Sequence, residues 1–540
     1  MPSRSFNFAD TFEIVADAVP DQLAVVSAGH RLTFAELDER ATRLAHALAA
    51  RGVTAGDHVG LYLFNGSEYI EAMIAAWKIR AVPVNVNYRY VADELVYLFD
   101  DADLVAVVHH AEFTPVIAEV VHQVPGVRTF LAVADGSDVD LESIGAEDYE
   151  TALADSSPER DFADRSPDDL YIVYTGGTTG MPKGVMWRQE DIFFAAMDGS
   201  AAGIADVPER PEDLADRVRE TAGSVTMGTA APLMHGAAQW VTWICFHSGN
   251  AIVLPAARHF DPAAVWRAVS EEGIVSLTVV GDAMARPLAD ELKANRDAYD
   301  VSGLMALGSG GAILSEGVKQ QYRELLPDII MADGFGASET GNQGSGIGAN
   351  DEGNPQFQLG PDTAVLRDDL TPVEPGSGER GMLARSGRIP LGYYEDEEKT
   401  AETFVTDGAG KRWVIPGDIA SVEADGIITV FGRGSVSINS GGEKIFPEEV
   451  EAALKSHPDV FDAVVVGVPD ERFGARVAAV VSPRGGAEPT LEELAEHCRT
   501  KIAGYKVPRE IHLVDAVTRS PSGKADYRWA KAVATGQPAA

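Results

Sequence analysis

Eleven consecutive residues, Tyr174-Thr175-Gly176-Gly177-Thr178-Thr179-Gly180-Met181-Pro182-Lys183-Gly184, hold the densest chemical signal in this chain, with four glycines, three threonines and one lysine. They follow the apolar run Leu170-Tyr171-Ile172-Val173-Tyr174. Glycines let backbone N–H groups approach a ligand closely, threonines add hydroxyls and the lysine adds a cation, a combination suited to a polyphosphate. The spacing is not G-x-x-x-x-G-K-[ST]: Lys183 stands three residues after Gly180 and is followed by Gly184 rather than a hydroxyl for magnesium. A second candidate is Glu339, an isolated carboxylate in the Gly/Ser-rich string Asp333-Gly334-Phe335-Gly336-Ala337-Ser338-Glu339-Thr340. One such carboxylate is enough to hold Mg²⁺ when phosphate oxygens and water complete the shell.

These strings, with Trp413-Val414-Ile415-Pro416-Gly417-Asp418, Gly432-Arg433, Gly441-Gly442-Glu443-Lys444 and Pro521-Ser522-Gly523-Lys524, resemble the ordered motifs of the adenylate-forming superfamily. That superfamily comprises acyl-CoA synthetases, peptide-synthetase adenylation domains and luciferases, and the resemblance covers nearly the whole chain. It implies ATP, Mg²⁺ and coenzyme A as cofactor and co-substrates, and a small-molecule carboxylic acid activated as acyl-AMP. Thr175, Gly176, Gly177, Thr178, Thr179, Gly180 and Lys183 are then assigned to the β and γ phosphates, and Glu339 to the magnesium. Asp333, Gly334 and Phe335 would contact the adenine, facing Gly310, Gly311 and Ala312, and Ser338 would be a further cofactor-binding residue. Asp418 would accept from the ribose hydroxyls, and Arg433 would reach the ribose or phosphate at the domain boundary. Lys524 resembles the catalytic lysine that bridges the substrate carboxylate and α-phosphate. Gly441 and Gly442 would line the pantetheine tunnel. His235 would border tunnel and acyl pocket, either as a base or as a packed histidine. The bare stretch Gly434-Ser435-Val436-Ser437 replaces the family's usual acidic hinge and resembles actinobacterial ligases for steroid side-chain or other bulky acids, as do the strings Arg80 to Tyr90 and Trp187 to Asp191.

The segments 232–240 and 306–314 are expected to line the acyl pocket; they are rich in small residues and hold no Lys or Arg, which favours a bulky hydrophobic acid. An enzyme performing only one half-reaction, such as thioesterification of a supplied adenylate, remains an alternative. A non-catalytic binder would be expected to lack Lys524, Glu339 or Asp418, and nothing in the sequence favours luciferase-type oxidation.

Positioning these groups takes more than one core, since the chain has 540 residues. The expected fold is α/β. A large N-terminal domain, 1–433, holds two mixed α/β sheets and a small β subdomain near Gly376-Ser377-Gly378. A mobile α+β domain, 434–540, follows. Thr33 and Glu36 form a capping-box pattern, as do Thr490 and Glu493, Ser67 is a candidate N-cap, and Pro447 suits a first helical turn. Residues 202–222 read as a surface loop or short exposed helix. With the chain ending at Ala540, no carrier-protein domain is expected. A net charge of −39 argues against nucleic-acid partners and anionic membrane surfaces. No apolar stretch is long enough for stable membrane insertion, and Cys245 and Cys498 are the two cysteines, so a reducing, cytoplasmic setting is expected, without a disulfide framework or zinc site. A homodimer is left open.

Overall fold

A computed structural model describes the chain apart from residues 1–3, 177–180, 199–205, 256–257, 311–313, 315, 350–354, 359, 434–437, 446, 456, 519–526 and 537–540. Local signals set its helices. The Thr33 hydroxyl accepts from the Glu36 amide and the Glu36 carboxylate from the Thr33 amide, starting Phe34–Ala50. Thr490 and Glu493 start Leu491–Arg499 in the same way. Ser67 is not a cap: Gly66 takes the extended cap position, and Ser67 begins the helix Ser67–Lys78. Within 202–222 the helix Asp213–Thr221 forms, but Leu214 and Val218 are fully buried in the core shared with Phe8–Ala18, so one face is docked rather than exposed.

The strands fall into four sheets among the described residues. A parallel five-stranded sheet joins Val82–Asn85, His58–Tyr62, Leu104–His110, Thr129–Val133 and Glu147–Asp148. The largest sheet has a parallel half, Leu23–Ser27, Ala251–Leu254, Thr226–Thr229, Ser276–Val279, Ala306–Ser309 and Ile330–Ala337. Gly341–Ala349 and Pro355–Gln358 continue it antiparallel into the strands around 363–433, so the expected small β subdomain grows from the large sheet's edge rather than standing apart. The hairpin Leu170–Gly176 and Pro182–Arg188 pairs with Gly392–Tyr393 as a separate three-stranded sheet. A five-stranded C-terminal sheet is built around the long pair Val460–Asp470 and Gly474–Pro483.

Strand parity in the large sheet decides what the site can use. Side chains alternate between faces with period two. Leu277, Val279, Leu307 and Met331 pack on the helices Pro262–Glu272, Gly281–Ala294 and Glu316–Leu325. Their neighbours Ser276, Thr278, Ala306, Gly308 and Ala332 face the other way, toward the helix Gly236–Phe246, and are too small to fill the space beneath it.

Where the helices Phe8–Ala18, Phe34–Ala50 and Ser67–Lys78 meet, the core takes in charge. Lys78 is fully buried, 2.5 Å from Glu13 and 2.9 Å from Asp38, the latter an ion pair outside hydrogen-bond geometry. Arg165 binds Asp10 and Glu13 at 2.8 and 2.9 Å. Burial would raise the Glu13 pKa, but Lys78 and Arg165 outweigh it and hold the carboxyl at about 2. Its contribution to stability is therefore present above its ordinary value of 4.5 and is lost as pH falls toward 2. Lys78→Met leaves Glu13 and Asp38 with only Arg165 and Arg160 to offset two buried carboxylates and should lower stability by about 3 kcal/mol at neutral pH. Denaturation midpoints of both proteins across pH check this, with the gap narrowing in acid as the stranded carboxylates protonate.

Candidate active site

A cavity of about 670 Å³ opens between the helix Gly236–Phe246 and the small-residue face of the large sheet. At the C-terminal ends of the strands it meets Thr175, Ser338, Glu339 and Phe335; at the helix start it meets His235 and Gly236. It then runs along the helix past Trp240, Val241 and Ile244 to Ser248 and Asn250. One continuous space thus joins the polar groups assigned to the nucleotide to a largely apolar channel.

Glu339 is held by groups distant in sequence. The Tyr393 hydroxyl donates to its Oε1 at 3.1 Å, and no described residue makes a hydrogen bond to its other oxygen. Trp187 Nε1 donates to the Ser338 carbonyl at 2.8 Å. The buried Arg385 donates to the carbonyls of Thr340 and Asn342, the second at 2.6 Å. The Thr340 hydroxyl closes the turn by accepting from the Ala337 amide at 2.9 Å. A fixed carboxylate with one unused oxygen at the cavity edge suits Mg²⁺, whose other ligands would be phosphate oxygens and water.

The C-terminal unit closes one side. Gly441 and Gly442 turn the chain between Ile438–Ser440 and Glu443–Ile445 with φ of 63° and 85°. A Cβ on Gly442 would lie 2.3 Å from a Val280 methyl, so the turn reaches the sheet only because that residue is glycine. Glu443 follows, 2.7 Å from Arg89 Nη1 and 3.5 Å from His235 Nε2. Burial would raise the Glu443 pKa; His235, Arg89 and Lys506 together hold it at about 2, so the carboxylate stays ionised at neutral pH. Lys506 forms a buried pair with Glu94 at 2.8 Å, and Asn87 donates to the Tyr505 hydroxyl at 3.3 Å.

The predicted residues are not all gathered here. Thr175, His235, Gly310, Gly334, Phe335, Ser338, Glu339 and Gly442 border the cavity. Phe335 offers an aromatic face and packs on Phe357 with centroids 4.3 Å apart. Asp333 has the opposite parity to Gly334: its carboxylate is buried against Lys319 at 2.6 Å and accepts from the Leu314 amide, so that side chain is engaged away from the nucleotide. Lys183 lies across from Thr175 in the hairpin and pairs with Asp396, the cap of Glu397–Thr403. Asp418 and Arg433 are opposite each other in paired strands, and neither Asp418 nor Gly441 borders the cavity. Gly177, Thr178, Thr179, Gly180, Gly311, Ala312, Lys524 and the hinge at Ser435 fall outside the described residues.

The channel draws on more than the segments 232–240 and 306–314. Leu233 and Leu307 are buried elsewhere, Trp240 makes one wall bulky, and Met227, Ile244, Asn250 and Ser276 come from outside both windows. Sequence reading missed Trp187, Arg385 and Tyr393 as supports of Glu339; an arginine alternating with apolar residues in Met382-Leu383-Ala384-Arg385 is the signal that could have marked one of them. Arg385→Ala leaves two carbonyls without their donor, at about 1–3 kcal/mol each. It should lower the denaturation midpoint and speed amide exchange across residues 338–345, as read by hydrogen–deuterium exchange mass spectrometry.

Comparison with known proteins agrees with this geometry. The AMP-binding enzyme model matches residues 12–394, and the AMP-binding enzyme C-terminal domain model matches residues 449–524. The chain is 51% identical over 541 residues to a medium/long-chain-fatty-acid–CoA/3-oxocholest-4-en-26-oate–CoA ligase of Mycolicibacterium smegmatis, covering 99% of this chain and 98% of that one. It is 50% identical over 534 residues to a 3-oxocholest-4-en-26-oate–CoA ligase of Rhodococcus rhodochrous, covering 98% and 96%. Among solved structures, an o-succinylbenzoate CoA synthetase of Bacillus subtilis superposes with a TM-score of 0.79 at 22% identity, covering 98% of each chain, which speaks to the fold alone. The chain belongs to the AMP-binding enzyme family, the adenylate-forming enzymes.

Proposed function

We propose that this protein is an AMP-forming acid–thiol ligase that activates a bulky hydrophobic carboxylic acid with ATP and Mg²⁺ and passes the acyl group to coenzyme A. The observation that carries this reading is the single cavity joining Glu339, Phe335 and Thr175 to an apolar channel, with a C-terminal turn at the junction. The acid lies in the channel with its carboxylate toward Glu339 and His235. A carboxylate oxygen attacks the α-phosphorus, the acyl–phosphate anhydride forms and pyrophosphate leaves. The thiol of coenzyme A then loses its proton to solvent, its sulfur attacks the acyl carbon, the acyl–phosphate bond breaks and AMP leaves. In both steps anions approach anions, so the chain's contribution is positioning and charge neutralisation. Mg²⁺ supplies charge neutralisation at the phosphates, and Glu339, steadied by Tyr393, would hold it. Phe335 and the backbone at Gly310 and Gly334 suit the adenine.

The substrate class we propose is that of the relatives: medium-to-long fatty acids or steroid side-chain acids. The apposition of Gly442, Glu443, Tyr505 and Lys506 to the cavity supports reading this arrangement as the thioester-forming one. A second cleft of about 580 Å³, bordered by Arg89, Arg258, His259 and Tyr505, adjoins the same seam and offers cations to the phosphates of coenzyme A.

Incubation with ATP, Mg²⁺, coenzyme A and a panel of acids, followed by mass spectrometry, should yield acyl-CoA, AMP and pyrophosphate. Conversion of synthetic acyl-AMP without conversion of free acid would sink the two-step reading. Two lysines should separate the half-reactions. Lys524→Ala should slow adenylation, read as hydroxamate formation, by about 10²–10³ while sparing thioesterification of supplied acyl-AMP. Lys506→Ala leaves Glu94 unpaired at the seam and should slow thioesterification about tenfold or more while leaving adenylation near its original rate.

A further inference from the structure

The far end of the acyl channel is not apolar. After Trp240, Val241 and Ile244 the cavity ends among Val225, Ser248, Asn250 and Ser276, at the N-terminal ends of the strands. The helix Gly236–Phe246 has 11 residues, so this end lies about 16 Å along its axis from the reacting carboxylate.

Asn250 is the distinctive group there. It is 5% exposed and sits just before the strand Ala251–Leu254. Its backbone is fixed twice, since its N–H donates to the Cys245 carbonyl at 3.1 Å and its carbonyl accepts from the Cys245 thiol at 3.2 Å. Its side-chain Oδ1 accepts from the Val225 amide at 3.2 Å. A backbone N–H needs an acceptor, so this contact sets the amide's orientation and leaves Nδ2 as the other end. No described residue accepts from Nδ2, and the side chain borders the cavity. Nδ2 is not sealed within the protein, so this donor is open to whatever occupies the cavity. Ser248 differs, since its hydroxyl already donates to the Ile244 carbonyl at 3.0 Å. Ser276 lies two strands from Asn250, roughly 10 Å across the sheet, too far to share one ligand atom with it.

We propose that Asn250 is a specificity determinant that donates a hydrogen bond from Nδ2 to a carbonyl oxygen on the end of the acid remote from its carboxyl group. The inference rests on the acyl-CoA ligase reading. It assigns recognition of that oxygen to one named residue, at the opposite end of the channel from the chemistry. Without such an oxygen the donor faces hydrocarbon, which a site built around a hydrogen bond rejects more strongly than an apolar pocket rejects an extra group.

The test uses three rigid polycyclic acids that are identical except at the remote end, which carries a ketone, a methylene or a hydroxyl. Wild-type protein should favour the ketone over the methylene acid by about tenfold or more in kcat/KM. In Asn250→Leu that ratio should fall to near one, and the ratio cancels any general loss of active protein. Asn250→Asp keeps the acceptor for the Val225 amide but removes the donor, so preference should turn from ketone to hydroxyl acid. A wild-type ratio near one, or a ratio that survives in Asn250→Leu, overturns the proposal. Failure of all three acids, and of simple fatty acids, to give thioester would instead overturn the activity on which it rests.

Discussion

Protein interiors close-pack, and an open channel through one must be held open against that tendency. Here the constraint is met by size and parity together. On one face of the large sheet Ser276, Thr278, Ala306, Gly308, Ala332 and Gly334 cannot reach the helix above them, while Leu277, Val279 and Leu307 on the other face fill a dense core. The channel therefore has a rigid floor: the strands that leave space on one side are anchored on the other. Replacing any floor glycine by a larger residue would fill the channel without disturbing the opposite core, so volume available to the acid is separable from the stability of the sheet.

The seam with the C-terminal unit follows a different logic from the core. Around Lys78, charges are sealed in and mutually compensated, an arrangement that resists separation. At the seam the contacts are a few polar pairs, Arg89 with Glu443, Lys506 with Glu94 and Lys501 with Asp93, the last largely exposed and individually weak.

Much of this was legible in the sequence, and what was not has a common cause. The capping boxes at Thr33 and Thr490, the strand pair after Val460 and the α/β alternation are local, and local signals announce them. The glycine-threonine hairpin and Glu339 stand out because few other arrangements use such residues. The supports of Glu339 do not stand out: Trp187, Arg385 and Tyr393 are ordinary residues in ordinary strands, brought to it only by long-range pairing. The partners of Glu443 lie at positions 89 and 235, and no spacing rule connects them. Ser67 lies inside the helix, one position after the extended residue Gly66, and helix boundaries are the least local of these signals.

Asp333 and its neighbours show that adjacent residues of one motif can face opposite sides of a strand. Gly334 and Phe335 border the cavity, yet Asp333, one residue earlier on the same strand, points to Lys319 and the helix layer. The alternation that turns Asp333 away also aligns Ser276, Thr278, Ala306 and Gly308 along one channel wall. Parallel strands put their C-terminal ends at the nucleotide, in keeping with the general placement of ligands in open α/β sheets. Their N-terminal ends, where Asn250 and Ser276 stand, lie at the far end of the same channel. Chemistry and choice of acid are thereby assigned to opposite ends of the same strands. Substitutions at strand beginnings can alter which acid fits without touching the groups around Glu339, so relatives that share every adenylation motif can still differ in the acid they activate.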